Sequence, residues 1–174
     1  MEKNSLHTVD IKSYSSEGDG IGRIDGMAVF VKGALVGEKV QIKIIKVAKN
    51  LAYGKLQKVI NASKQRIDPD CKYAMACGGC SLRHMNYDEE LKFKLHRVND
   101  AFERIGKLNF KVEKIHGAKD ILRYRNKAAF PIGCNKSGEV QIGLFQARSH
   151  NIIDIDKCLI QTEQAEKIIS IIKN

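Results

Sequence analysis

The sequence predicts a β-rich α+β fold in two parts. Residues 1–62 are predicted to form a small antiparallel barrel, because short apolar–polar alternations recur there roughly every ten residues. Residues 63–174 are predicted to form a metal-binding α+β domain, since the stretch CKYAMACGGC holds three cysteines close together. An apolar stripe with helical spacing predicts one long helix at residues 87–105 of that domain.

Four segments of the first part have the alternation typical of half-buried strands. In the third segment, Val40, Ile42 and Ile44 alternate with polar residues. Glycine, asparagine and aspartate separate the segments, and Asp25-Gly26 predicts a tight turn before the second one. The segments are HTVDIKSYS, MAVFVKG, KVQIKIIKV and AYGKLQKVI.

Three alternate glycines, Gly18, Gly20 and Gly22, are similar to the loop that cradles phosphate in nucleotide-binding sites. Such a loop works only between a strand and the N-terminus of a helix. Here the strand-like segment MAVFVKG follows and no helix begins. The glycines are therefore predicted to belong to a hairpin rather than to a cofactor loop.

The second part begins at a break around Pro69. Its long helix has a suitable start at Asn86 and Glu89 and a suitable end at Gly106. Further strands are predicted in RYRNKAAFPIG, EVQIGLFQA and HNIIDID, and a last helix from Thr162. The chain stops directly after this apolar segment, which we interpret as the sign of a longer protein. The apolar stripe of the long helix consists of Leu91, Leu95, Val98, Phe102 and Ile105.

The charge of the chain is strongly basic and unevenly placed. Its net charge is +10, and nine basic residues but one acidic residue, Glu38, lie from Lys32 to Arg66. Two explanations account equally well for such a run. The lysines either solvate an exposed sheet, or they create a positive field that attracts a polyanion. Arg123 and Arg125 either contact a polyanion or form salt bridges across the sheet. The candidate polyanion contacts are Lys43, Lys46, Lys49, Arg66, Arg123, Arg125 and Lys127.

The sequence also indicates a compartment. No apolar run reaches the ~20 residues that span a bilayer, and the N-terminus has no apolar core of the signal-peptide kind. We therefore expect a cytoplasmic protein without membrane contact, in which thiols stay reduced.

The clustered cysteines follow the spacing C-x5-C-x2-C, and Gly78-Gly79 lets the backbone fold tightly around a bound group. A redox pair would need a thioredoxin-like βαβ context, which is absent. A zinc ion could take the three thiolates and His84, whereas an iron–sulfur cluster would need a fourth cysteine, Cys134 or Cys158. Spacing alone decides neither the metal nor the fourth cysteine. The three clustered cysteines are Cys71, Cys77 and Cys80.

Four stretches carry a family resemblance in their order and spacing. They are IKSYSSEGDGIGRIDGMAVFVKGALVGEKVQIKI, CKYAMACGGCSLRHMNYDEELKFK, RYRNKAAFP and GLFQARSHNIIDIDKCLIQ. Together they resemble the N-terminal part of the S-adenosylmethionine-dependent RNA uracil-C5-methyltransferases that carry a TRAM domain and an iron–sulfur cluster. The resemblance covers essentially the whole chain.

The resemblance implies a [4Fe–4S] cluster and leaves Cys134 outside its ligand set. His84 then becomes an ordinary loop residue. Arg83 departs from the family pattern, since many relatives carry Gln in CGGC-x-x-Q-H, so the contacts of that position are not carried over. The ligands implied are Cys71, Cys77, Cys80 and Cys158.

The resemblance also implies a function: an OB-like TRAM barrel at residues 1–62 and the cluster region together bind RNA, in an enzyme that makes 5-methyluridine in 23S rRNA. In this family a cysteine thiolate adds to C6 of the uracil, and C5 then takes the methyl group of S-adenosylmethionine. The catalytic residues and the cofactor site belong to a Rossmann-like C-terminal domain whose motifs are absent from residues 1–174. The chain alone is therefore expected to be inactive.

This interpretation implies a docking partner and an oligomeric state, and it leaves one alternative function. The helix at residues 87–105 is expected to dock on the missing catalytic domain, and the full-length protein to be a monomer. The rival is a complete, non-enzymatic RNA-binding module with a Cys3His zinc site or an iron–sulfur site.

Overall fold

The computed structural model describes residues 1–74 and 76–173, which pack as two compact units. Unit 1 combines Met1–Asp68 with His84–Ile115, and unit 2 combines Pro69–Arg83 with the chain from His116 onward. This division differs from a boundary between residues 62 and 63, because the long helix packs on the N-terminal strands.

Six strands of unit 1 form one sheet in the order β1-β5-β6-β4-β3-β2. Neighbouring strands are antiparallel except β4 and β6, which are parallel. The prediction of an antiparallel barrel is therefore wrong at this pair. The chain reverses direction between β4 and β5 and again between β5 and β6, so β6 runs parallel to β4. The strands are β1 (Leu6–Asp10), β2 (Ser13–Tyr14), β3 (Gly20–Ile24), β4 (Met27–Val31), β5 (Lys39–Val47) and β6 (Leu51–Asn61).

The two edge strands of this sheet, β1 and β2, are consecutive in the chain. The Ile11 amide between them donates to the Glu38 carbonyl at 2.9 Å, and the Lys12 amide donates to the Ile21 carbonyl at 2.9 Å. One short segment thus bonds to strands near both edges. Alternate residues of the strands fill a single core, which contains Val9, Ile11, Val29, Val31, Ala34, Val40, Ile42, Ile44 and Ala52.

The glycine-rich stretch forms the predicted hairpin. β2 and β3 pair antiparallel around a turn in which Gly18 has a φ of +85°. A Cβ atom added at Gly22 would lie 2.4 Å from Val9 Cγ2 and 2.6 Å from the Asp10 carbonyl oxygen. The glycine therefore lets two backbone segments approach closely inside the sheet, which explains its presence without a cofactor.

The long helix is present over the predicted range. Helix α1 (Tyr87–Asp100) continues into a π-helical turn, Ala101–Ile105. The Asn86 side chain caps its start by accepting the Glu89 amide at 2.9 Å. Phe93 is the buried residue of α1, and its ring meets Tyr14 edge to face at 5.5 Å.

The predicted apolar stripe of this helical segment does not form the face that Phe93 buries. Val98 is 44% exposed and Ile105 is 83% exposed. The other three members, Leu91, Leu95 and Phe102, are half-buried. The stripe is thus partly exposed, as docking of this helix on another domain would require, and its partner is not shown.

Unit 1 contains a buried ion pair between Glu38 and Arg66. The Glu38 side chain is 0% exposed, and Arg66 Nε lies 2.6 Å from Glu38 Oε1. The same carboxylate accepts the amides of Leu35 and Ser63, at 2.9 Å and 3.2 Å. Burial raises the pKa of Glu38, but the hydrogen bonds from Arg66 and these amides outweigh it and lower the pKa overall.

Unit 2 is smaller and less regular. Its three-stranded sheet contains β7 (Ile132–Cys134), β8 (Val140–Phe145) and β9 (Ile152–Asp154), and helix α2 (Glu163–Lys173) follows. The strand predicted in RYRNKAAFPIG is present only at the end of that segment, where Ile132 and Gly133 belong to β7. Arg123 has a φ of +58°, which interrupts an extended chain, and an isolated bridge joins Arg125 to Gln161. No helix in residues 1–74 and 76–173 is both long and apolar enough to cross a bilayer.

Replacing Arg66 by Met should destabilise unit 1 by about 3–5 kcal/mol at neutral pH, because it leaves a buried carboxylate without its partner. The pKa of Glu38 is lowered in the folded state, so its contribution is present above its unfolded pKa of ~4.3 and is lost as the pH falls through the folded value. The stability difference between the parent chain and the variant should therefore shrink in acid. Denaturant unfolding at several pH values measures it.

The matched control for this prediction is Lys64→Met, which removes the same charge at an exposed position two residues away. It should change the free energy of unfolding by less than about 0.5 kcal/mol. Equal unfolding free energies for the two variants at neutral pH would contradict a stabilising role for the ion pair.

Candidate metal centre

Four of the five cysteines of the chain line one cavity in unit 2. Three come from the loop between Pro69 and Arg83, and the fourth follows β9. The apolar side chains of Leu144, Ile155 and Ile160 complete much of the lining. The cavity cysteines are Cys71, Cys77, Cys80 and Cys158, the set that the family resemblance implies.

The cysteine loop is fixed to the end of β8 by backbone hydrogen bonds. The Gly78 amide donates to the Phe145 carbonyl at 2.9 Å, and the Ala147 amide donates to the Ala76 carbonyl at 3.1 Å. A Cβ atom at Gly78 would lie 3.0 Å from the Phe145 oxygen, so a side chain would press against the strand. The glycine thereby allows the loop to lie directly on the sheet.

An amide of the loop also points toward a sulfur. The Gly79 amide lies 3.3 Å from Cys77 Sγ and donates to it. The second glycine of the pair Gly78-Gly79 therefore brings a backbone donor close to a cavity cysteine. Such bonds stabilise a thiolate, because the negative charge on sulfur is the better acceptor.

Cys158 is held by side chains of its neighbours. Its amide donates to Glu166 Oε1 at 2.7 Å, and its carbonyl accepts Arg123 Nη1 at 3.1 Å. The same Arg123 nitrogen donates to Glu166 Oε1 at 2.6 Å and to the Gln161 carbonyl at 3.0 Å. A carboxylate from α2 and a guanidinium thus fix both backbone polar groups of the fourth cysteine.

The environment of Cys77 and Cys80 favours neutral thiols. Burial raises the pKa of the Cys77 thiol and of the Cys80 thiol. Arg83 opposes the shift at Cys80 by lowering its pKa. Because metals bind thiolates, metal binding here would displace protons and in turn relieve the mutual repulsion of the four sulfurs.

Four thiol groups line the cavity. Among the described residues, no three His, Cys, Asp or Glu side chains lie close enough together to hold a single metal ion. A tetrahedral zinc site needs four donors around one centre, whereas the four thiolates of a [4Fe–4S] cluster are spread over an inorganic core. Four thiols around one cavity are the donor set that a [4Fe–4S] cluster takes, so the donor chemistry of the site fits a cluster.

His84, the fourth ligand of the alternative zinc site, belongs to unit 1. It is 5% exposed, its Nε2 has no hydrogen-bond partner among the described residues, and its backbone carbonyl accepts the Ile67 amide. Burial and then Arg66 lower the pKa of His84 to about 4, so its ring is neutral at physiological pH.

Cys134, the remaining cysteine, ends β7 next to the turn that leads into β8. It is exposed. The structure thus places it apart from the residues that line the cavity. The resemblance separates Cys134 from Cys158, whereas spacing alone did not.

The seven candidate RNA contacts have different surroundings. Lys46, Lys49 and Lys127 are exposed, and Lys43 and Arg125 are half-buried. Arg66 and Arg123 already bind carboxylates within their own units, so the salt-bridge alternative is present at Arg123. Sequence reasoning missed Glu38 and Glu166, the two acids concerned. The signal for Glu38 was its isolation within a basic run.

Comparison with known proteins agrees with the sheet of unit 1. The TRAM domain family matches residues 2–57. This range contains β1 to β5 and most of β6. The chain therefore carries a TRAM domain.

The whole chain is similar to longer proteins. It is 47% identical over 173 residues to an uncharacterized RNA methyltransferase of Clostridium tetani, covering 99% of this chain and 37% of that protein. It is 44% identical over 176 residues to an uncharacterized RNA methyltransferase of Clostridium acetobutylicum, covering 99% of this chain and 38% of that protein. The chain thus spans under two fifths of the length of these relatives.

A solved structure shares the fold. The crystal structure of the tRNA (uracil-54, C5)-methyltransferase of Pyrococcus abyssi, in complex with S-adenosyl-L-homocysteine, matches with a TM-score of 0.66 and 24% identity. The match covers 95% of this chain and 35% of that chain. Taken together, these comparisons show a chain with a TRAM domain that is homologous to proteins named RNA methyltransferases.

Proposed function

We propose that this chain is the RNA-binding and cluster-binding N-terminal portion of a cytoplasmic, monomeric RNA uracil-C5-methyltransferase that makes 5-methyluridine in 23S rRNA. The observation that carries the proposal is the cavity lined by Cys71, Cys77, Cys80 and Cys158, in a chain homologous to RNA methyltransferases along nearly its full length.

The cavity would hold a [4Fe–4S] cluster. The four cysteines would be its ligands, and Arg123 and Glu166 would hold the backbone of the fourth one. When bound, the cluster would supply a fixed cross-link between the cysteine loop and the segment after β9. Apolar neighbours such as Leu144 and Ile160 would limit the access of water to it.

The methyl-transfer chemistry is assigned to residues outside this chain. The relatives are more than twice as long as residues 1–174, which leaves ample length for a Rossmann-like domain with the nucleophile and the S-adenosylmethionine site. The exposed stripe with Val98 and Ile105 would dock on that domain, since large exposed apolar side chains mark interfaces.

The RNA contacts are proposed on the basic surface of unit 1 and near the cavity. Lys43, Lys46, Lys49 and Lys127 would meet phosphates directly. Arg125, which belongs to unit 2 as Lys127 does, would join them. Arg66 and Arg123 are paired with Glu38 and Glu166, so each pair adds no net charge, and a phosphate contact by either arginine would have to compete with its carboxylate partner.

The direct test is methyl incorporation by the full-length protein. With S-adenosylmethionine labelled at its methyl group, label should enter 23S rRNA as 5-methyluridine. Residues 1–174 alone should incorporate none. Incorporation into tRNA but not rRNA would overturn the assignment of 23S rRNA as the substrate. Incorporation at another atom of the base would overturn the uracil-C5 assignment.

The cluster has its own prediction. Full-length protein purified without oxygen should be brown and contain iron and sulfide in equal amounts. Cys158→Ser should lose the colour, because it removes one of four ligands, whereas Cys134→Ser should keep it. Colourless protein with one zinc ion would contradict the cluster and favour a Cys3His zinc site that includes His84.

The basic surface predicts a salt dependence. The logarithm of RNA affinity should fall linearly with the logarithm of salt concentration, by ~0.7 per phosphate contact for single strands. Charge reversal at Lys43 and Lys46 should weaken binding and reduce this slope. Reversal at Lys3 and Lys136, which are also exposed, is the control. An unchanged slope in the first variant would show that the lysines only solvate the sheet.

A further inference from the structure

The outer face of the sheet in unit 1 carries a pair of aromatic rings. Phe30 on β4 and Tyr53 on β6 are directly paired across the parallel strands. Their ring centroids lie 5.7 Å apart with an angle of 35° between the planes. Both side chains are half-buried, while the alternate residues Val29, Val31 and Ala52 fill the core. The rings therefore belong to the face opposite the core.

The strand register extends this pair into a row. Tyr53 pairs with Lys46 on β5, and Phe30 pairs with Ile21 on β3. Directly paired residues share one face of a sheet, so the order across the four strands is lysine, tyrosine, phenylalanine and isoleucine. The row thus has two aromatic rings at its centre and a positive charge at one side.

A second row adds further positive charge. Lys55 lies two residues beyond Tyr53 and hence on the same face. It pairs with Lys43. Arg23 lies two residues beyond Ile21 on the same face. The sequences of strands β3 to β6 contain no acidic residue, so the strands themselves place no opposing charge on this face.

A surface of this kind matches one class of ligand. Aromatic rings on a sheet offer stacking surface to unpaired bases, and lysines beside them meet the phosphates of the same strand. A base-paired duplex hides its base faces and could use only the lysines. A lipid surface would need the apolar side chains to project outward rather than lie half-buried.

We propose that Phe30 and Tyr53 form a stacking platform for an unpaired base of single-stranded RNA, with Lys43, Lys46 and Lys55 binding the adjoining phosphates. The proposal rests on the proposed RNA-binding function and deepens it, because it assigns a base contact as well as a phosphate contact. The bound strand crosses β5, β6 and β4. Because stacking accepts any base, this contact adds affinity without selecting a sequence.

The test uses the full-length protein and a fluorescent single-stranded RNA of mixed sequence. Tyr53→Leu and Phe30→Leu keep apolar side chains on the strands but remove the rings. Each should weaken binding roughly 5- to 150-fold, the range expected for loss of one stacked base, and leave the salt slope unchanged. Tyr53→Trp should bind at least as tightly as the parent, which separates loss of stacking from loss of folding.

A matched control exists in the same unit. Phe110 is 58% exposed and pairs with Phe102 at 5.6 Å, outside the sheet. Phe110→Leu should leave RNA affinity within about twofold. An equal loss in this variant would show a general effect of aromatic residues and overturn the platform.

Other outcomes separate the platform from the proposed function. Normal RNA binding with a normal salt slope in Tyr53→Leu and Phe30→Leu would overturn the platform and keep the phosphate contacts. Equal weakening of a blunt RNA duplex would overturn the assignment to unpaired bases. Failure of the parent protein to bind any RNA would overturn the RNA-binding function itself.

Discussion

The buried carboxylate of Glu38 is the interaction on which the rest of unit 1 depends. Its two oxygens accept the Leu35 amide before β5, the Ser63 amide after β6 and the guanidinium of Arg66. A charge at 0% exposure has lost its water, so these three donors must replace that hydration. The cost of leaving it unpaired forces the segment after β6 back against the loop that precedes β5.

The pairing of Arg66 with Glu38 also places the two ends of the cysteine loop side by side in unit 1. The Ile67 amide, one residue beyond Arg66, donates to the His84 carbonyl at 3.1 Å, and the Asn86 amide donates to the Gln65 carbonyl at 2.9 Å. The chain therefore leaves unit 1 after Asp68 and returns at His84 through paired backbone. The cysteine loop thus has two anchored ends, and the other cysteine of the cavity that it lines, Cys158, comes from a distant part of the chain.

Much of this arrangement could be predicted from the sequence, and the exceptions have physical causes. Alternation gave the strands because burial on one face repeats every second residue, as at Val40, Ile42 and Ile44. The alternation could not predict the parallel pairing of β4 with β6, because the pattern is the same in parallel and antiparallel strands. The stripe on α1 was found from spacing, but the contact of Phe93 with Tyr14 depends on residues far apart in the chain. Cys158 came from the family resemblance, because nothing local distinguishes it from Cys134.

The division of the chain into two interleaved units has a consequence for synthesis. The ribosome completes unit 1 once His84–Ile115 has emerged, so its core can close while Pro69–Arg83 is already outside and its partner segments are still unmade. Cys158, the last cysteine of the cavity, follows Cys80 by 78 positions and emerges later still. The order of translation therefore lets the core of unit 1 close first, and the cavity of unit 2 can be completed only afterwards.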